Sequence, residues 1–564
     1  MMENLGKENL EIDNSYRKIV PMEWLTVNGY CSPSDVFLTT FSLDMQQLRQ
    51  LLYELDALDL VGEKKVHVFY DESARSSENN EMQILSSEVM HGISIHGFAF
   101  HPKVILLRYE NQTGKLGYVV IVASRNITRS KNLDAYAVAC GVVGEQIEKN
   151  GERFSEFWKT VFAQDDFSDS TQYRRILEEL KKVKFKQPNS EREVKFLSAE
   201  EVGNQLKTAK HILMVSPFLS ENLSEYLGEG KIDLVVSTPM GLAGIKQQEH
   251  VQYRTLVGDK KGEEGKDEEN NNSLHAKIYC YQDSEGQINW IFGSSNAPVN
   301  GCNLNGKSEN IEYNIGFEGE EEDYNYFREL LSGKEFCDWE QKEEEPTKTI
   351  NLRKVFQDYF TQMDIICEKN ENNEEEPYQV TFKRKKECGD EKYKIEILPA
   401  DSSASMSKKI ADCVVSKKVI AGVKVKIGLE GESKTFYLDL YRYWKPEMKK
   451  QLDNQCRKNL CKLLLFLQKK ELMGKKPPQI LSLGSDENRM KQSGDWRQRN
   501  YEDKRYVFEA IIDIYQREQE AENRKVRLRK IRDYANAILR NQPGDLYQED
   551  MKGIIDKIIG EEHE

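Results

Sequence analysis

HPKVILLRYE (residues 101–110) and LHAKIYCYQ (274–282) are the stretches that decide the fold of this 564-residue chain. Each carries a His-x-Lys triplet at the mouth of an apolar, β-branched run: His101-Pro102-Lys103 and His275-Ala276-Lys277. Of the eight histidines, only these two have Lys at the second following position. Each triplet precedes a second apolar run ending in a small-residue turn. GYVVIVASRN (117–126) ends Ala123-Ser124-Arg125-Asn126, and INWIFGSSN (288–296) ends Gly293-Ser294-Ser295-Asn296. After each turn come an Asn, one residue and a carboxylate: Asn132-Leu133-Asp134 and Asn310-Ile311-Glu312. The same four-part order thus occurs twice, with the two histidines 174 residues apart. Each part is weak alone; the ordered pair is specific.

Working outward, the runs upstream of each triplet share a grammar. DVFLTTFSLD (35–44), the helical MQQLRQLLYELDAL (45–58) and KKVHVFYDES (64–73) precede the first. HILMVSPFLS (211–220), ENLSEYL (221–227) and KIDLVVSTP (231–239) precede the second. Apolar spacing of three and four residues marks helices, and β-branched or aromatic runs mark strands. Continuous apolar strands without alternation predict α/β sheets covered on both faces. The pattern is a duplicated α/β unit, not a short-period solenoid.

The residue types suit phosphoryl transfer without a metal or other cofactor. Charge in that transition state spreads over the non-bridging oxygens, so fixed donors stabilise it. Lys103 and Lys277 supply charge; Asn126 and Asn296 supply amide donors. Ser124 and Ser294 are candidates either to hold the turn or to bind substrate. One neutral imidazole can attack phosphorus while a protonated one serves the leaving oxygen. Asp134 and Glu312 would each accept from an imidazole N–H and fix its tautomer. His67, His91, His211, His250 and His563 lack this company and read as structural or surface residues. His96, close to His101 in sequence, is a candidate to touch the cleft.

The paired segments resemble the phospholipase D superfamily over residues 30–335. The resemblance implies two tandem α/β/α lobes forming one pseudo-twofold site, and a phosphohistidine intermediate. It also implies that His101 attacks and His275 protonates, although the residues alone do not break the symmetry. Lipase-type members have Asp seven residues after the His; here Arg108 and Gln282 stand there. The first strand is similar to the tyrosyl-DNA phosphodiesterase branch, which also lacks that Asp. The resemblance therefore implies nucleic acid as partner, DNA before RNA. It suits a bacterial restriction or antiviral-defence nuclease, or a DNA end-processing enzyme. Two alternatives stay open: a phospholipid phosphodiesterase or transferase, and an inactive member serving as a binding or assembly module.

Domain-sized units are expected at 1–190 and 191–345 (the two lobes), 346–445 (β-rich) and 446–564 (mostly helical). YQVTFKRK (378–385), KYKIEILPA (392–400), KVIAGVKVKIGL (418–429) and KTFYLDLYRYW (434–444) read as strands. CRKNLCKLLLFLQKKEL (456–472) and residues 506–540 read as a long helical end. Residues 441–540 hold 25 Lys/Arg against 14 Asp/Glu in a chain of net charge −14. That excess is either a solvated helix face or a contact for nucleic acid, a second copy or another protein. GDKKGEEGKDEENNNS (258–273) and EKNENNEEEP (368–377) read as exposed loops. Ten cysteines without a CxxC pair, those at 388, 413, 456 and 461 included, read as reduced thiols rather than a zinc site. A polar, acidic start and no long apolar run lead us to expect a cytoplasmic protein without membrane attachment.

Overall fold

The computed structural model describes residues 19–452 apart from 58, 62–64, 75–88, 96–97, 129–131, 165–169, 259–272, 298–301, 303–309, 340–351, 361–362, 373, 385–392, 400–407, 410–412, 418 and 430–431. His96, His563, most of the 258–273 tract and the helical stretches expected at 456–472 and 506–540 lie outside the described residues. Contacts divide the described chain into two units. Among the described residues one is drawn from 19–60, 65–74 and 91–360, the other from 61, 89–90 and 363–452.

The first unit is mixed α/β. Its strands are β1 (Asp35–Thr40), β2 (Val66–Asp71), β3 (Met90–Ile93), β4 (Ala99–Phe100), β5 (Val104–Glu110), β6 (Leu116–Ala123), β7 (Tyr136–Val142), β8 (Val194–Ser198), β9 (His211–Val215), β10 (Ile232–Val236), β11 (Gln252–Leu256), β12 (Ile278–Gln282), β13 (Ile288–Gly293), β14 (Asn310–Ile311), β15 (Tyr313–Gly319) and β16 (Phe336–Asp338). One sheet has the order β3-β2-β1-β5-β6-β7, the other β16-β11-β10-β9-β12-β13-β15-β8. The central five strands correspond in order and direction. β1 pairs parallel with β2 and antiparallel with β5, as β9 pairs parallel with β10 and antiparallel with β12. The hairpins β5–β6–β7 and the path β12–β13–β15 continue both patterns antiparallel.

Every residue of β1 and β2 is buried, as expected of strands covered on both faces. The cover on one face is the helix Lys149–Phe162, together with Thr171–Leu180, whose cap Ser170 accepts from Tyr173 N–H. The first helix touches both sheets. Its Trp158 and Phe162 meet Phe37 and Phe69 of β1 and β2; its Phe154 stacks on Phe196 of β8 with ring centroids 4.3 Å apart. Phe157 stacks on Tyr313 of β15 at 3.9 Å. These residues form one apolar core running from sheet to sheet. Each fully buried aromatic there contributes roughly 1.5–3 kcal/mol. A second core lies around the helix Ala199–Thr208, which opens on a reciprocal Ser198–Glu201 capping box, and contains Val202, Leu206, Met214 and Tyr279.

The second unit contains β17 (Met363–Lys369), β18 (Tyr378–Arg384), β19 (Lys394–Pro399), β20 (Lys408–Lys409), β21 (Cys413–Ser416), β22 (Gly422–Leu429) and β23 (Glu432–Asp439). They form a three-stranded sheet, β17-β18-β21, and a four-stranded one, β20-β19-β22-β23. The acidic tract at 368–377 begins inside β17 and then makes the connection to β18, closed by Asn370 N–H donating to the Pro377 carbonyl at 2.6 Å. Among the described residues no helix is long and apolar enough to cross a membrane.

Candidate active site

His101 and His275 lie just ahead of β5 and β12, at corresponding ends of the two sheets. The short strands between the sheets position them. β4 pairs parallel with β14, matching Asn310 with Ala99 and Ile311 with Phe100. His101 N–H then donates to the Ile311 carbonyl at 3.0 Å. The opposite half does the same through the Leu133–Leu274 bridge, where His275 and Ala276 N–H both donate to the Leu133 carbonyl, at 2.9 and 2.8 Å. The backbone before each carboxylate therefore holds the backbone of the histidine in the other half.

The side chains cross in the same way. His101 Nδ1 pairs with Glu312 Oε2 at 2.8 Å, and His275 Nδ1 pairs with Asp134 Oδ1 at 2.8 Å. Each imidazole is thus oriented by the carboxylate of the opposite half, with Nδ1 occupied and Nε2 turned to the other side of the ring. Glu312 is 4% exposed and accepts a second bond, from Asn310 Nδ2 at 3.1 Å. Asp134 Oδ1 also accepts from Ser124 Oγ at 2.9 Å.

The two lysines are buried, 1% and 0% exposed. Lys103 Nζ donates to the His101 carbonyl and Lys277 Nζ to the His275 carbonyl, both at 2.8 Å. Burial pushes the His101 imidazole down to about 4 against the pull of Glu312, with Lys103 and Lys277 adding to the fall. Burial also lowers His275, assisted by Lys277 and Lys103 and opposed by Asp134. Burial lowers Lys103 well below the usual ammonium range, and the Lys277 charge reinforces this. Burial would raise Asp134, but His275, Arg125 and Lys277 outweigh it and keep the carboxyl below its ordinary value. Each imidazole therefore feels the lysines of both halves: two histidines, two cations and two carboxylates act as one electrostatic cluster.

Ser124 and Ser294 hold turns. Both are fully buried. Ser124 Oγ accepts from Ala135 N–H at 2.9 Å while donating to Asp134. Ser294 Oγ accepts from Tyr313 N–H at 3.0 Å and donates to its carbonyl. Each hydroxyl thus donates once and accepts once within its own turn. Asn126 and Asn296 follow these turns and are half-buried. Asn126 Oδ1 accepts from Ser42 N–H at 3.4 Å, and the Asn296 carbonyl accepts from Cys302 Sγ at 2.8 Å.

Several contributors carry no sequence signal of their own. Thr40 Oγ1 accepts from Ile127 N–H and donates to the Ser42 carbonyl; Ser216 Oγ accepts from Ala297 N–H and donates to the Phe218 carbonyl. These matched hydroxyls pin the chain directly after each Asn. The Phe41 ring stands edge-on to His101 with centroids 5.0 Å apart. Arg108 lies in a buried ionic network with Glu179 and Asp35, and Gln282 bonds the Gly286 carbonyl. His67 and His91 are buried and bonded to each other at 3.1 Å, and His211 is a surface partner of Asp233. Among the described residues no three His, Cys, Asp or Glu side chains are grouped as metal ligands.

No protein-family model and no curated protein matches this chain. Among solved structures it is similar to yeast tyrosyl-DNA phosphodiesterase, at 12% sequence identity and a TM-score of 0.33, over 51% of this chain and 83% of that one. A variant of the same yeast protein matches at 14% identity and a TM-score of 0.34 over the same shares.

Proposed function

We propose that this protein is a phosphodiesterase of the phospholipase D type, cleaving nucleic acid at a site shared by two tandem lobes. The observation that carries the reading is the reciprocal exchange: His101 held by Glu312 and His275 held by Asp134, each at 2.8 Å. A carboxylate on Nδ1 keeps the proton there and leaves Nε2 as the reactive nitrogen. With its value near 4, His101 is neutral at pH 7 and suited to attack.

In the first step His101 Nε2 bonds to phosphorus and the bond to the leaving oxygen breaks. Protonated His275 gives that oxygen its proton. In the second step His275 takes a proton from water, the water oxygen bonds to phosphorus, and the P–N bond to His101 breaks. A bound phosphodiester is anionic, so it raises both imidazoles and allows His275 to carry its proton at neutral pH. Lys103, Lys277, Asn126 and Asn296 stabilise the non-bridging oxygens.

The nucleic-acid assignment rests on Arg108 and Gln282 standing where lipase-type members carry Asp, and on the basic excess at 441–540. DNA is the preferred substrate, and a defence or end-processing nuclease is the role we infer. Labelled single- and double-stranded DNA and RNA, beside phospholipid vesicles, should be incubated in excess chelator with wild type, His101→Ala and His275→Ala. The expected outcome is nucleic-acid cleavage by wild type alone. A requirement for a divalent ion, turnover of lipid only, or activity in either variant would overturn the proposal.

A further inference from the structure

Asp71 closes β2 and is 2% exposed. Oδ1 accepts from the backbone N–H of Ser73 at 3.0 Å and from the Ser73 hydroxyl. Oδ2 crosses to the other segment and accepts from the backbone N–H of Phe100 at 2.9 Å. Phe100 immediately precedes His101 and is the β4 residue matched with Ile311 of β14. A carboxylate taken this far out of water is costly unless fully bonded. Here one oxygen is held by Ser73 and the other by the peptide N–H of the residue that leads into the first histidine.

At the corresponding strand end of the second half a hydroxyl stands in place of the carboxylate. β10, the counterpart of β2, runs on into Ser237 and Thr238, and the Thr238 hydroxyl donates to the Pro217 carbonyl and accepts from Gly241 N–H. Both histidines donate their own N–H to the opposite half, to the Ile311 and Leu133 carbonyls; the added anchor is Ala276 N–H on Leu133 in one half and the Asp71–Phe100 bond in the other. The two imidazoles are thus oriented by equivalent carboxylates and share one backbone anchor, while the Asp71 bond belongs to the His101 side.

We propose that Asp71 is a positioning residue for His101, acting through the Phe100 peptide and not on His275. Its kinetic consequence rests on the phosphodiesterase reading above; its structural consequence does not. Without the carboxylate, the Phe100 N–H loses this partner, and the β4–His101 segment, held by β14 and the Lys103 ammonium, gains room to shift relative to Glu312. Displacement of an attacking atom by about 1 Å costs on the order of 10²-fold in rate.

The test uses the full chain with Asp71→Ala and Asp71→Asn, read in two ways. The first is the carbethoxylation rate of His101 relative to His275 by peptide mass spectrometry, with His275 as internal reference. Asp71→Ala should raise the His101:His275 ratio at least threefold, while Asp71→Asn, which keeps an acceptor for Phe100, stays near wild type. Equal acceleration at both histidines, or an unchanged ratio in a folded Asp71→Ala protein, overturns the proposal. Should Asp71→Ala not fold, Asp71→Ser, whose hydroxyl is too short to reach Phe100 N–H, decides instead and should raise the ratio, an unchanged ratio overturning the proposal. Ser73→Ala leaves the Phe100 bond intact and should preserve the ratio, and a shifted ratio in that variant overturns the proposal. The second readout is kinetic. Asp71→Ala should lower kcat roughly 10²-fold with KM within about threefold, rescued by Asn. A wild type that cleaves no phosphodiester sinks the functional reading, yet leaves the carbethoxylation ratio to judge Asp71.

Discussion

His101 and Glu312 are 211 residues apart in sequence and 2.8 Å apart in space. The bond joins two halves that the sequence repeats in tandem, and the pair His275–Asp134, 141 residues apart, mirrors it. Neither half contains the carboxylate that its own histidine needs, so the cluster exists only when both halves are folded together.

Removing either carboxylate should therefore damage the histidine of the opposite half. Glu312→Ala and Asp134→Ala should each lower kcat by about 10²–10⁴-fold, the range for general acid–base groups. Imidazole NMR would identify the target: Glu312→Ala should move the His101 Nδ1 resonance more than that of His275, and Asp134→Ala the reverse. Perturbation within the same half would contradict the crossed geometry.

Lys103 should show opposite effects on activity and stability. Burial depresses its ammonium, so the folded state carries a cation at a cost. Lys103→Met keeps the stem and removes the charge. It should leave stability unchanged or raised, while losing about 2–4 kcal/mol of transition-state stabilisation. Urea melts and single-turnover rates on one preparation check both halves of this expectation.

Acidification should weaken the fold through the same cluster. His101 has a folded value near 4, below about 6.5 for the unfolded chain. Between those values the unfolded state binds more protons, so stability is full above about pH 6.5 and falls as pH drops toward 4. The loss should reach roughly 3 kcal/mol. His275, also lowered, acts in the same direction. Asp134, held below its ordinary value, adds a loss beginning near about pH 4 and continuing as pH falls through its folded value. Urea midpoints from pH 4 to 7 should fall less steeply for His101→Asn than for wild type.

Phe154→Ala should cost about 3–5 kcal/mol. Because Phe154 belongs to the core shared by the two sheets, the loss should shift one common unfolding transition of residues from both. Two separated transitions by hydrogen exchange would argue against a shared core.

Much of this was legible in the sequence, for identifiable reasons. The runs 35–40, 66–71, 104–110, 211–215 and 232–236 announce themselves because both faces of each strand are covered, which makes them continuously apolar. The doubled His-x-Lys order located the six clustered side chains. The crossing was not legible: spacing along the chain shows that each half has a carboxylate, not which imidazole it meets. That choice is made by β4 and β14, two residues each and too short for any periodicity. In the sequence Ser124 and Ser294 stand between turn and substrate, because a hydroxyl's role depends on which N–H lies opposite. Asp71 was invisible for the same reason, since its Phe100 partner comes from a segment 29 residues further on.

The most direct test of two imidazoles serving one phosphate uses a p-nitrophenyl phosphodiester, whose leaving group departs without a proton. His275→Asn should release one equivalent of p-nitrophenolate in a burst and stall, with the phosphoryl adduct mapped to His101. Continuous turnover by that variant, or a burst whose adduct maps to any residue other than His101, would contradict the account.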